Sequence, residues 1–152
     1  MVTRVSHTEL FNQALATLIP QAHRMGIIAV ELAPGRAVCV VPIEGNGNHF
    51  GTMYAGVLFT VAEVLGGAIC LPSFDLARFY PVVKDVKIDF RKPARTDIRS
   101  TATLDADTIT RVAAEADELG KSTFLLEAEL TDADGVVVAT TVGTYQLRAH
   151  AR

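Results

Sequence analysis

The sequence predicts an α+β domain: a curved antiparallel sheet of five to six strands wrapped around one long buried helix. Two observations carry this. The stretch "AGVLFTVAEVLGGAIC", Ala55 to Cys70, is apolar nearly all round, and a helix without a polar face has to be enclosed. Much of the remaining chain falls into β-rich runs, some of them alternating apolar and polar residues. A sheet that curves around such a helix buries both.

The elements follow in order. Leu10, Phe11, Ala14, Leu15, Leu18 and Ile19 recur at helical spacing. They predict an N-terminal surface helix over residues 6–20, with Ser6 and Glu9 placed for a reciprocal capping box and Pro20 closing the run. Next comes "IIAVELAPGRAVCVVPI", two β-rich runs around Pro34-Gly35, a hairpin signal. "GNGN", Gly45 to Asn48, is a loop. Ala55 to Cys70 then forms one helix of about four turns. "FYPVVKDVKIDF" alternates as a strand that stops near Pro93, and "DIRSTATL" is another strand. "DTITRVAAEADELG" fits a short helix or a ragged strand. "KSTFLLEAEL" and "GVVVATTVGTYQL" flank "TDADG", a turn in which Gly135 supplies a positive φ. The final run, Gly135 to Leu147, is long. Its length invites pairing beyond the subunit, which predicts a homodimer or a dimer of dimers.

The totals exclude several classes. With 152 residues the chain fits one domain, with its core over residues 26–148. A net charge of −3 offers nothing global to nucleic acid or an anionic membrane. Cys39 and Cys70 lack metal or redox spacing and predict buried thiols in a reducing compartment. His7 and Glu9 interrupt the place where a signal peptide needs an apolar run, which predicts a cytoplasmic protein. An uninterrupted apolar stretch of spanning length, about 18 residues or more, is missing. His7, His23, His49 and His150 show no ligand spacing, so no metal is expected.

Glu63 is the anomaly: a carboxylate in an apolar helix loses its hydration unless something compensates. Around it the residues Asn48, Gly51-Thr52, Tyr54-Ala55-Gly56 and Glu63 form a spaced constellation. It resembles the hotdog-fold acyl-CoA thioesterases, in the phenylacetic-acid thioesterase-like branch. Those proteins carry an Asn, a Gly-Thr, a His-Gly-Gly at the start of the central helix, and an acid about two turns into it. "IDFRKPAR" and "TDADGVVVATTVGTY" are similar to later segments of the same family. The resemblance covers residues 26–148. With Tyr for His and Glu for Asp, the pattern is closer still to a group of domains of unknown function in that superfamily.

The resemblance implies that Glu63 acts as general base or nucleophile on a thioester, which needs a carboxylate within hydrogen-bond reach. It assigns the oxyanion to the backbone N–H at Ala55, which with that of Gly56 lies at the positive start of the helix, and to Asn48 the positioning of the water or carbonyl. Tyr54 stands at the family's His; a phenol donates to an oxyanion but is a poor base. His49 is the candidate substitute, or a solvated loop residue. Gly51 and Thr60 are further candidate substrate contacts. Val83 occupies the place where some relatives carry a hydroxyl.

The residues themselves add expectations. Burial should raise the Glu63 pKa, and Gly66-Gly67 removes bulk beside it. Val82, Lys84, Val86, Ile88 and Phe90 share one face of an alternating strand, so Lys84 is expected to pair with Glu63, within a subunit or across a dimer. Arg91, Lys92 and Arg95 suit the phosphates of coenzyme A, or form a solvated strand end. Met53 and Phe59 fit a core more readily than an acyl tunnel. The function expected is hydrolysis of an acyl-CoA, with no cofactor beyond the CoA of the substrate. The alternatives are a non-catalytic acyl-CoA-binding module and an acyl-thioester hydratase or dehydratase.

Overall fold

The structure is a computed structural model that describes residues 3–151. Helix α1, His7–Leu18, opens with the expected capping box: the Glu9 N–H donates to Ser6 Oγ at 3.2 Å, and the Ser6 N–H donates to Glu9 Oε2 at 3.1 Å. Pro20 does more than stop this helix. It sits in the first turn of a short helix α2, Pro20–Arg24, where its missing N–H costs nothing. Strands β1, Ile28–Ala33, and β2, Arg36–Val41, form the hairpin, with Gly35 at φ +78°.

The central helix is longer than expected and interrupted. Helix α3, Ala55–Glu63, and helix α4, Leu65–Ser73, meet at Val64. The run is long and apolar enough to cross a membrane by length and composition alone. Here it is the core helix: Val57, Leu58, Val61, Ala62, Leu65, Ala68 and Ile69 are buried against the sheet.

Strand β3, Phe79–Phe90, and strand β4, Ile98–Thr103, follow. The ambiguous segment is a helix, α5, Ala106–Leu119, capped by Asp105 at one end and by left-handed Gly120 at the other. Hydrogen bonds from the Thr108 backbone hold the Asp105 carboxyl below its usual range. Strands β5, Lys121–Thr131, and β6, Val137–Ala149, complete one antiparallel sheet in the order β1-β2-β4-β5-β6-β3. Gly135 turns between them at φ +79°. Burial along β5 alternates strictly, with Phe124, Leu126, Ala128 and Leu130 inward. A six-stranded sheet curved around a helix is the expected hotdog architecture. Cys39 and Cys70 are free and fully buried, and burial pushes both thiols up to about 12.

Two strand expectations change. β6 is not an edge: it lies between β5 and β3. The edges are β1 and β3. The β1 edge is covered, because the Asn12 amide of α1 bonds both backbone groups of Ala29, at 2.8 and 3.0 Å. The twelve residues of β3 have a neighbour only in β6, so β3 is the open edge. Its register also shifts between Val83 and Asp85. Lys84 is the extra residue of this bulge. Past the bulge Val86 and Ile88 are half-buried against the core, while Val83 and Phe90 stay exposed and Val82 is half-buried.

Gly66 and Gly67 predict opposite responses. A Cβ on Gly66 would collide with the Tyr145 ring, whereas on Gly67 it meets nothing within 4 Å. Gly66→Ala is expected to destabilise by roughly 1–3 kcal/mol through overpacking. Gly67→Ala is expected to stabilise by up to about 1 kcal/mol through helix propensity. Denaturant melts of the two variants check both signs.

Candidate active site

Glu63 lies in a cleft of about 200 Å³ between α1, the central helix, the β3 edge and β6. Phe11, Ile19, Val64 and the Pro81-Val82-Val83 edge line it, with Tyr145. No hydrogen bond or salt bridge reaches the carboxylate among the described residues. Burial among these apolar groups raises its pKa. The acid is thus unpaired and partly desolvated, and both favour its neutral form relative to a solvated carboxylate.

Tyr145 was not singled out by sequence. Its hydroxyl donates to the Glu63 carbonyl at 3.2 Å. That carbonyl has lost its helical partner: α3 ends at Glu63 and α4 begins at Leu65, so the bond from the Gly67 N–H is not made. A side-chain donor entering the ladder beside a glycine pair is a known cause of such breaks. Burial, with the Glu63 charge second, pushes the Tyr145 phenol well above its usual range. The signal lay in Gly66 and Gly143: a Cβ on either would meet the Tyr145 ring.

Lys84 does not pair with Glu63 within the subunit. The bulge leaves it exposed on β3, and among the described residues it joins no ion pair. The expectation assumed unbroken alternation, which one extra residue reverses. Thr60, one turn before Glu63, donates its hydroxyl to the Gly56 carbonyl at 2.7 Å.

The second half of the constellation sits at the start of α3. Tyr54 is its N-cap but supplies no side-chain hydrogen bond. The Ala55 and Gly56 N–H groups therefore lack intrahelical and capping partners. They carry the positive end of the helix dipole. Ala55 opens into a cleft of about 620 Å³ with Asn48, Phe50, Met53, Phe90, Arg91, Lys92 and Arg95. The three expected cations are thus brought together with Asn48 and Ala55. Asn48 Oδ1 accepts from the backbone N–H groups of Phe50 and Thr52, at 2.9 and 3.2 Å. These bonds shape the loop and leave the Nδ2 donors unused among the described residues.

Other candidates fall elsewhere. Tyr54 lines a different hollow, with Arg24 and Asn46, and its ring lies against Gly56. His49 is exposed, packs on Phe50 at 3.9 Å between ring centroids, and does not line the cleft. Gly51 is a turn residue at φ +75°. Met53 is buried, as expected, but Phe59 is 38% exposed on the open face of the helix rather than in the core. Among the described residues, no group of three or more His, Cys, Asp or Glu side chains is placed to hold a metal.

A sheet curved around a helix that starts with free amides and carries a solitary acid defines a protein of the hotdog fold. The chain belongs to the family described as domain of unknown function DUF4442, whose model matches residues 7–147. It is similar to a Pseudomonas aeruginosa protein of unknown function, described as a probable thioesterase. That likeness has 49% identity and a TM-score of 0.88, over 94% of this chain and 96% of that one. A Chlorobaculum tepidum protein of unknown function shares the fold at 18% identity and TM-score 0.85, over 94% of both chains. A Haemophilus influenzae thioesterase shares it at 14% identity and TM-score 0.75, over 97% of this chain and 93% of that one. No protein of curated function matches the chain.

Glu63→Gln should raise thermal stability at neutral pH. Burial lifts the folded-state pKa above the unfolded value, so the stabilising contribution is full below the unfolded pKa and is lost as pH rises through the folded one. Melting curves should show the variant's advantage at pH 7 vanish towards about pH 4. Tyr145→Phe keeps the ring and removes the hydroxyl. It should lower stability by about 1 kcal/mol in denaturant melts.

Proposed function

We propose that the protein is an acyl-CoA thioesterase working as a homodimer. The observation that carries this is the unpaired, desolvated Glu63 carboxylate on the open stripe of the central helix. The likeness to a probable thioesterase at 49% identity supports it. Ala55 and Glu63 are eight positions apart, about 12 Å along a helix. That is too far for both to act on one carbonyl, so the site is composite. Glu63 of one subunit meets the Ala55 and Gly56 amides of the partner subunit, related by a twofold axis. The open β3 edge and the exposed Phe59, Val83 and Phe90 provide the surface for the pairing.

In this reading the Glu63 carboxylate takes a proton from water, and the hydroxide attacks the thioester carbon. The oxygen charge is received by the free amides. Collapse breaks the carbon–sulfur bond, and the leaving thiolate takes the proton back from Glu63. Arg91, Lys92 and Arg95 bind the phosphates of CoA, and the unused Asn48 Nδ2 orients the carbonyl. No resident cofactor is invoked. A second reading, a binding module without turnover, is favoured by Val83: this neighbour of Glu63 in the cleft offers no hydroxyl to hold a water. A hydratase is disfavoured, because no histidine lines either half of the composite site, the Glu63 cleft or the cleft at Ala55.

The test is thiol release from acyl-CoAs. Glu63→Gln should lose about a hundredfold or more in turnover, the scale of a general base. Ala55→Pro removes one amide at a position where proline suits a helix; it should lose about 10²–10³-fold. Mixing the two inactive variants should restore about a quarter of wild-type activity, since half of the dimers are mixed and each has one intact site. Activity that survives Glu63→Gln would remove the chemistry from this residue. Mixtures that stay inactive would rule out the composite site.

A further inference from the structure

The Glu63 cleft has features that hydrolysis alone does not require. Its walls come from elements far apart in sequence: Phe11 and Ile19 from the N-terminal helices, Val83 from the strand edge, and Gly67 from the central helix. Apart from Glu63, its one polar side chain is Tyr145, whose hydroxyl is engaged by the Glu63 carbonyl. The interior therefore suits a hydrocarbon. Its volume is about 200 Å³. A cavity of about 150 Å³ takes one benzene, so by volume this open cleft, with Ile19, Gly67 and Val83 exposed on its walls, has room within one subunit for a single ring or a chain of about six carbons.

Gly67 is the telling residue. It lies inside helix α4, yet a Cβ there would touch nothing within 4 Å. A helix-interior glycine costs about 1 kcal/mol relative to alanine, and nothing in the packing asks for it. Its neighbour Gly66 is the contrast, because the Tyr145 ring occupies the space of its Cβ. The room at Gly67 is room in the cleft.

We propose that this cleft receives the acyl group, and that Gly67 and Phe11 restrict it to short chains or a single ring. The proposal rests on the thioesterase reading and adds the substrate class to it. Glu63 at the wall then meets the carbonyl while the acyl carbons lie between Phe11, Val83 and Gly67.

The test uses S-alkyl-CoA thioethers from ethyl to dodecyl, which bind without being cleaved, with Kd measured by calorimetry. Wild-type affinity should rise up to about the hexyl thioether and then stop rising. In Gly67→Leu the hexyl-to-ethyl affinity ratio should fall about tenfold. Phe11→Ala, which changes a half-buried residue of another element, should move the limit to longer chains. The same chain-length profile in all three proteins overturns the proposal, and so does a wild type that binds none of the thioethers. Thiol release from the matching acyl-CoAs is followed in parallel. Release with an unmoved profile removes the pocket and keeps the thioesterase. A moved profile without release removes the thioesterase and keeps the pocket.

Discussion

The structure depends on one constraint: a helix that is apolar on nearly every side has to be kept from water. The six strands can enclose most of it. The stripe Ala55, Phe59, Glu63 and Gly67 is left at least partly open. This stripe runs along the open side of the subunit, next to the unpaired β3 edge. The hydrophobic effect that builds the core thus also prepares a second surface. Chemistry placed on that surface is shared by whatever covers it.

The helix break at Val64 follows from the same crowding. Tyr145 needs space beside the helix, and Gly66 and Gly143 provide it. Its hydroxyl then supplies the Glu63 carbonyl with a donor that the interrupted ladder no longer gives. A backbone group that would be orphaned is satisfied, and the acid sits at the break. The position of Glu63 at the break is therefore tied to one phenol.

Much of this was legible in the sequence. The all-round apolar run announced the enclosed helix, Ser6 and Glu9 announced its predecessor's cap, and Gly35 and Gly135 announced turns. Glu63 was conspicuous for lacking any packing reason. Residues near one another in sequence, such as Arg91, Lys92 and Arg95, did come together with Asn48 and Ala55. Failures came where a long-range fact decides. Sheet order made β3 rather than β6 the edge. One bulge at Lys84 reversed the face on which a pairing was expected. Tyr145 touches Glu63 across 82 positions, and no local pattern records that. Tyr54 stood at a motif position and His49 was a substitute offered by nearness in sequence, but neither spacing nor nearness says which way a side chain points.

The paired glycines give two neighbouring codons unequal freedom. Gly66 is locked by an aromatic ring, so change there threatens the fold. Gly67 borders empty space, so change there alters the shape of the cleft and leaves the core as it is. A substitution can therefore reshape the cleft at one position without disturbing the packing at the next. A variable wall beside a fixed one lets the fold persist while the form of the cleft changes.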